Sequence, residues 1–213
     1  MKQTTMNKFS VGLGLFDYIN PILYTVTAIT LLKNLHGVMN KTLYGFLLVG
    51  AIISIVFGFV IPTIKLLVGL GKMEFSMPTL FVLLVNTGLV ISGVGIFSHV
   101  VFDNAALGIV LLIALLDCLA MFLYKRQSFN TMAVGIGAIG YGLIYLGLIR
   151  LALDGGHILN VVLYGLAICL YVFLILIGVK SDLNKPRVHW TIEISNVLCQ
   201  LLVAISTVLL FVA

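Results

Sequence analysis

Charged residues are scarce in this chain. Asp, Glu, Lys and Arg make up 9% of its 213 residues, against about 25% in soluble domains. Hydrophobic residues make up 62%, and the mean hydropathy is +1.23. So little charge excludes an ordinary soluble domain, because a surface in water needs far more of it. The composition predicts an all-α integral membrane protein with a single polytopic membrane domain over residues 1–213.

Cysteines and catalytic motifs are also few. The three cysteines, Cys118, Cys169 and Cys199, are odd in number, lie inside apolar segments and form no C-x-x-C pair. This pattern argues against a disulfide framework or a thiolate metal site. The sequence contains no H-E-x-x-H, G-x-S-x-G or P-loop motif, each of which would indicate a particular chemistry. These absences favour a protein that is not an enzyme.

Long polar stretches are missing as well. A spanning helix needs about 20 largely apolar residues, and the short polar breaks leave seven such segments. They cover residues 11–32, 42–70, 78–100, 104–124, 131–151, 157–179 and 188–212. Short connections predict a compact bundle of seven transmembrane helices in which consecutive helices are antiparallel neighbours. The second segment contains Pro62, which predicts a kink or bend in it.

Basic residues are distributed unevenly between the two ends of these segments. One side carries Lys2, Lys8, Lys65, Lys72, Lys125, Arg126, Lys180, Lys185 and Arg187, and the other carries Lys33, Lys41 and Arg150. By the positive-inside rule, nine against three predicts a cytoplasmic N-terminus and an extracytoplasmic C-terminus. The same bias accounts for the net charge of +5 without a nucleic-acid partner. The predicted environment is the lipid bilayer of the plasma membrane.

Acids inside the apolar segments are the main functional signal. Asp17, Asp117 and Glu193 each lie about five to seven residues from the cytoplasmic end of a segment, which is a depth of roughly 8–11 Å. Asn86 in the third segment belongs to the same layer. Such groups normally face the bundle interior and mark ion or proton pathways. With no Lys or Arg expected in this layer, the acids are predicted either to be protonated or to hold a cation.

The first and last segments share a local pattern around two of these acids. Asp17 is followed by Asn20, and Glu193 by Asn196, so acid and amide lie on one helix face. That face continues through Tyr24 and Thr27 in the first segment, and from His189 through Gln200 to Thr207 in the last.

A proline follows the first acid-amide pair. Pro21 supplies no N–H to the carbonyl of Asp17, and interrupted helices of this kind form ion sites in secondary transporters. Two simpler interpretations stay open: the polar groups join helices by hydrogen bonds, or the proline only kinks the helix.

The fifth segment is rich in glycine. Gly135, Gly137, Gly140, Gly142 and Gly147 all lie within it. Small residues in a membrane helix let a neighbouring helix approach closely. The sequence therefore predicts a tight helix contact along this segment.

The opposite side of the bundle carries a second group of polar residues. His36, His99, Asp103, Asp154 and His157 fall in three outer turns. Three imidazoles and a carboxylate are suitable ligands for zinc, and an open coordination position would make such a site catalytic. Zinc is the one cofactor for which the sequence offers ligands, and no cofactor is clearly implied.

Three functional hypotheses follow from these patterns. The leading one is a small transporter or channel for a cationic or proton-coupled solute. Its path would include Asp17, Asn20, Asn86, Asp117, Glu193 and Asn196. The second is a sensor, assembly factor or subunit that does not transport and acts in a homo-oligomer or with a membrane partner. The third is an outward-facing, metal-dependent intramembrane enzyme that uses the outer histidines.

Overall fold

A computed structural model describes the backbone of residues 10–73, 79–124, 129–180 and 186–212. Side chains are described for residues 10–73, 80–117, 135–177 and 187–212. The orientation argument used Lys2, Lys8, Lys125, Arg126 and Lys185, which lie outside the described residues, as do the side chains of Cys118 and Lys180.

The described chain folds into eight helices and contains no strand in these ranges. They are α1 Val11–Asp17, α2 Ile19–Leu35, α3 Lys41–Gly69, α4 Thr79–Val101, α5 Ala105–Tyr124, α6 Phe129–Asp154, α7 Ile158–Lys180 and α8 Pro186–Val212. Only Tyr18 separates α1 from α2, so the two helices are consecutive parts of one apolar segment. Each of the seven predicted segments coincides with one helix or with this pair.

Six of these segments are long and apolar enough to cross a bilayer. They are Val11–Leu35, Lys41–Gly69, Leu80–Val101, Gly135–Asp154, Ile158–Ile177 and Arg187–Val212. The described side chains of α5 give a shorter apolar stretch, Ala105–Asp117. The prediction of an all-α, multi-pass membrane protein is therefore confirmed, while a seventh span and the orientation stay predictions.

Polar side chains cap the beginnings of α1 and α3, and a glycine caps the end of α3. The Ser10 hydroxyl accepts a hydrogen bond from the Leu13 N–H at 3.1 Å, and the Asn40 side chain accepts one from Thr42 at 2.9 Å. At the end of α3, Gly71 has a φ of 69°. The Lys72 N–H then reaches the Leu67 carbonyl at 2.9 Å, which is a Schellman cap that favours glycine.

Helix α4 lies between α3 and α6 and makes its largest contacts with them. On the α3 side, Gly50 faces the backbone of Gly88 and Ser92 so closely that an added Cβ would overlap both. On the α6 side, a Cβ at Gly140 would lie 2.8 Å from the Leu89 Cβ and 2.9 Å from the Val90 nitrogen. Glycine thus sets the spacing on both sides of α4.

The glycine-rich segment is α6, and only part of it makes the predicted close contact. Gly137, Gly140 and Gly147 face neighbouring side chains or backbone, whereas a Cβ at Gly135 or Gly142 would meet nothing within 4 Å. The three close-packed glycines are three or seven residues apart and so share one helix face. The prediction is confirmed for that face.

Helices α1 and α2 pack against both α3 and α8. The polar stripes predicted on the first and last segments face this interior, since Thr27 and Gln200 are each 3% exposed and Thr207 is fully buried. The polar stripes of the first and last segments therefore both face the inside of the bundle.

Candidate functional site

A lysine and two acids form a buried ionic cluster where α1, α3 and α8 meet. The Lys65 Nζ lies 2.6 Å from the Asp17 Oδ2 and 2.6 Å from the Glu193 Oε1. Asp17 is 6% exposed and Glu193 is 7% exposed. One ammonium group thus bridges two carboxylates that come from opposite ends of the sequence.

This ion pair corrects an expectation from the sequence. The sequence predicts that no Lys or Arg shares the layer of the acids, and it groups Lys65 with the basic residues of the cytoplasmic side. Lys65 instead lies within α3, four residues before its end at Gly69, and its side chain is 17% exposed. Its long aliphatic stem lets the ammonium group reach the two acids inside the bundle.

Asn20 joins the two acids on the side of α2. Its Nδ2 donates to the Asp17 Oδ1 at 3.1 Å and to the Glu193 Oε2 at 3.3 Å. The contact with Asp17 follows from the i,i+3 spacing predicted from the sequence. The contact with Glu193 depends on the packing of α2 against α8, which the spacing alone does not reveal.

The helix is interrupted beside the cluster, as Pro21 predicts. α1 ends at Asp17 and α2 begins at Ile19, and the Tyr18 N–H bonds to the Leu15 carbonyl at 3.3 Å in a tighter turn. Tyr18 keeps helical dihedral angles of φ −63° and ψ −21°. The interruption is therefore a local change of hydrogen bonding next to the Asp17 carboxylate, not an unwound segment.

A second proline faces the same region from α3. Pro62 lies inside α3, and it supplies no N–H to the Gly58 carbonyl, four residues earlier. Gly58 also packs against Pro21, since a Cβ at Gly58 would lie 3.4 Å from the Pro21 Cβ. Pro21 and Pro62 thus lie on facing helices. Each leaves the carbonyl four residues earlier, at Asp17 and at Gly58, without its usual helical N–H donor.

A cavity of about 200 Å³ adjoins the cluster. It is lined by Asp17, Asn20, Pro21, Tyr24, Ser54, Gly58, Ile61, Pro62, Lys65, Val85, Leu89, Tyr141, Ile192, Glu193, Asn196 and Gln200. Tyr24 and Gln200 each follow a cluster acid by seven residues, so the cavity extends about 10 Å along the helices from the acids. It therefore runs from the ionic cluster toward the middle of the bundle.

The deep end of the cavity contains a hydrogen-bonded group of polar side chains. The Gln200 Nε2 donates to the Tyr141 hydroxyl at 3.0 Å, and the Tyr141 ring lies 4.7 Å from the Tyr171 ring. Nearby, the Ser54 hydroxyl donates to the Val85 carbonyl at 3.0 Å. These contacts hold polar side chains from α3, α6 and α8 around the same space.

The structure brings together four of the six transport residues predicted from the sequence. Asp17, Asn20, Glu193 and Asn196 all line the cavity. Asn86 does not line it and lies at the contact of α4 with α6, where a Cβ at Gly137 would be 3.2 Å from its Oδ1.

Asp117 is not brought to this site either, because its side chain is exposed on α5. Depth along the chain correctly grouped the convergent residues, but depth does not tell which way a helix face points.

The outer histidines do not form the predicted zinc site. Among the residues that the structure describes, no three His, Cys, Asp or Glu side chains are placed to hold one metal ion. His99 instead lies 3.4 Å from Asp103, and Asp154 pairs with Arg150 at 3.0 Å. The ring of His36 contacts that of Tyr44. The geometry therefore gives the metal-enzyme hypothesis no support.

Sequence reasoning missed the contribution of α3 to the site. Ser54, Gly58, Ile61 and Lys65 recur every three or four residues and all line the cavity. This spacing marks one helix face, so the signal was present. It was weak because Gly58 and Ile61 carry no polar side chain, Ser54 carries only a hydroxyl, and Lys65 lies near the segment end.

Comparison with known proteins gave no match, whether to a family model, to a curated protein or to a solved structure. Function is therefore inferred from the cluster and its cavity.

Proposed function

We propose that this chain is a small transporter or channel of the plasma membrane for a cationic or proton-coupled solute. The transport site consists of Asp17, Asn20, Lys65, Glu193 and Asn196. The supporting observation is that two buried carboxylates share one ammonium group at the edge of a cavity that extends into the bundle.

The charge of the cluster explains why a cation or a proton would be handled here. Two carboxylates and one ammonium group carry a formal charge of −1 when all three are ionised. An unbalanced charge inside a membrane bundle is costly, and such groups are typical of ion and proton pathways. Binding of one proton or one monovalent cation neutralises the cluster, and its release restores the charge.

Lys65 would act as the internal counter-ion in this scheme. When the cluster is empty, its ammonium group limits the cost of two buried carboxylates. An arriving proton would bind covalently to one carboxylate oxygen, and an arriving cation would be held by carboxylate oxygens, while Lys65 keeps its contact with the other acid. The helix is already interrupted beside Asp17, between α1 and α2. The backbone there can therefore change its hydrogen bonds with little rearrangement of the helices.

The test is flux of protons and monovalent cations in liposomes that contain only this chain. Asp17→Asn and Glu193→Gln keep the side-chain size and remove one charge, and each is expected to abolish the flux. Asp117→Asn serves as the matched control, because Asp117 is an exposed acid on α5. It is expected to keep the flux of the wild type.

Two results would contradict the proposal. The first is wild-type flux no higher than that of empty liposomes. The second is unchanged flux in both Asp17→Asn and Glu193→Gln, with insertion and thermal unfolding equal to those of the wild type.

A second candidate is a subunit that acts with a membrane partner, and Asp117 favours it. An exposed acid inside an apolar helix is unfavourable in the bilayer, by up to about 2.5–3.5 kcal/mol at the centre and less at the depth predicted for Asp117, unless another helix covers it. Co-purification of a partner at fixed stoichiometry, lost in Asp117→Asn, would support this role. Full activity of the chain alone in liposomes would oppose it.

A further inference from the structure

We propose that the cavity binds a small organic ammonium ion of the type R–NH₃⁺. The ammonium group would lie at the cluster, and the apolar part would lie in the cavity beyond it. This inference rests on the proposed transport function, since it names the class of the cationic solute.

The strongest sign of a missing ligand is an acceptor with no partner. The Asn20 Oδ1 is buried and receives no hydrogen bond within the described part of the chain. Asn20 is 9% exposed and lines the cavity. Its orientation is set because the Nδ2 donates to both acids, so the oxygen cannot exchange places with the nitrogen without losing two hydrogen bonds. A buried acceptor without a partner is destabilising, and a donor that reached it from the cavity would remove that cost.

Several donors around the cavity are directed to acceptors of the protein. Ser54 donates to the Val85 carbonyl, Gln200 donates to the Tyr141 hydroxyl, and Asn20 donates to the two acids. The Asn20 Oδ1, in contrast, has no donor within the described residues. This acceptor favours a ligand that donates a hydrogen bond, and the negative charge of the cluster favours a cation.

Lys65 demonstrates the geometry that a bound ammonium would adopt. Its Nζ approaches one oxygen of each acid at 2.6 Å, which is a short, charge-assisted contact. The remaining oxygens, Asp17 Oδ1 and Glu193 Oε2, accept from Asn20 at longer distances of 3.1 and 3.3 Å. A primary ammonium ion has three N–H donors, which matches these two oxygens and the Asn20 Oδ1 in number.

Size and lining favour an organic ion over a bare metal ion. A volume of about 200 Å³ corresponds to roughly six or seven water molecules at about 30 Å³ each. Pro21, Ile61, Val85 and Leu89 give the wall an apolar part. Tyr24 and Tyr141 add aromatic rings, which attract ammonium ions. A metal ion would leave this apolar wall facing water, whereas an alkyl group would cover it.

The experiment is calorimetric titration of the detergent-purified full chain with n-propylammonium chloride. A saturable heat is expected. Tetramethylammonium chloride has the same charge but no N–H group, so it is expected to bind at least about tenfold more weakly, because hydrogen bonds to charged groups are worth about that factor or more. Sodium chloride at equal concentration is expected to compete only weakly, because sodium donates no hydrogen bond and leaves the apolar wall uncovered.

Asn20→Leu tests the unmet acceptor. It is expected to weaken propylammonium binding about tenfold or more. Asn34→Leu is the matched control on the same helix, because Asn34 donates to the Thr30 carbonyl and does not line the cavity. Its affinity should equal that of the wild type.

Gly58→Ala provides a second variant in case Asn20→Leu does not fold. The added methyl group would lie 3.4 Å from the Pro21 Cβ, an ordinary contact, and would narrow the cavity. Binding of n-hexylammonium should fall more than binding of methylammonium.

Three results would overturn the inference: no saturable heat with propylammonium, equal affinity for tetramethylammonium, or wild-type affinity in Asn20→Leu. Proton flux that persists without ammonium binding would overturn this inference alone. Ammonium binding without any flux would overturn only the proposed transport and leave a binding site.

Discussion

Lys65 is the residue on which the interpretation of the site depends most. Removing one partner of a buried ion pair leaves an uncompensated charge, and this is more damaging than replacing the whole pair. In this cluster the loss of one ammonium group would leave two buried carboxylates facing each other. The stability of the bundle and the state of the site are therefore linked through a single side chain.

Lys65→Met tests that link. The variant keeps the unbranched apolar stem but lacks the ammonium group, and it is expected to lower the free energy of unfolding by about 3–5 kcal/mol, measured by thermal or denaturant unfolding in detergent. The double variant Lys65→Met with Glu193→Gln should recover part of the loss, because it removes one of the unpaired charges.

Arg150→Met is the control for this measurement. Arg150 pairs with Asp154 at 3.0 Å, but the two side chains are 56% and 48% exposed. An exposed pair contributes about 0–1 kcal/mol. Equal destabilisation by Arg150→Met and Lys65→Met would mean that the cluster has no special role in the fold.

The sequence indicates part of this site and not the rest, for physical reasons. Asp17 and Glu193 stand out because a carboxylate in an apolar segment is costly, and each carries its asparagine on the same face. Lys65 was grouped with the basic residues at the membrane surface because it lies only four residues from the end of its helix. Asp117 shared the predicted depth of the other acids, but its helix turns it outward.

At the scale of the helices, glycine decides where backbones can approach. In α6, a Cβ at Gly140 would lie 2.8 to 3.0 Å from atoms of Leu89 and Val90, closer than carbon atoms normally come. Two residues later, Gly142 has open space around it. Glycine is therefore needed for close helix packing at position 140 but not at position 142.

This contrast gives a prediction from one pair of variants. Gly140→Ala should destabilise the protein, because α4 must move away from α6. Gly142→Ala should be neutral or stabilising by about 0.5–1 kcal/mol, the usual gain when alanine replaces glycine in a helix. Thermal unfolding in detergent measures both, and equal effects of the two variants would contradict the helix contact described here.

Helix positions followed from the sequence better than helix contacts did. Long apolar runs between short polar breaks located all seven segments to within a few residues. The large contact of α4 with α6 and the contact of α2 with α8 join helices that are not consecutive. Such contacts depend on small and polar residues that lie on matching faces of two helices. A single sequence gives only weak signals for this matching.

For the whole molecule, the orientation in the membrane rests on the distribution of basic residues. Lys65 lies in the ionic cluster, so it is left out of the count of basic residues at the membrane surface. The remaining eight basic residues on one side, against three on the other, still favour a cytoplasmic N-terminus by the positive-inside rule. Lys72, just beyond the end of α3, and Lys41, at its beginning, mark the two sides.

Cysteine labelling tests this orientation. In a variant without native cysteines, Lys41→Cys should react with a membrane-impermeant maleimide in intact cells. Lys72→Cys should react only after the cells are opened. The reverse pattern would place the ionic cluster near the outer surface and would contradict the predicted orientation.

The contact between Lys65 and both acids is the central claim, and solid-state NMR in lipid bilayers measures it directly. Dipolar coupling would be recorded between the lysine ¹⁵Nζ and the carboxyl ¹³C atoms, with Asp17→Asn and Glu193→Gln used to assign the signals. Since both N–O distances are 2.6 Å, strong coupling of Lys65 to both carboxyl carbons is expected. Coupling to only one acid, or to neither, would contradict the shared ammonium on which the proposed function and the ligand site depend.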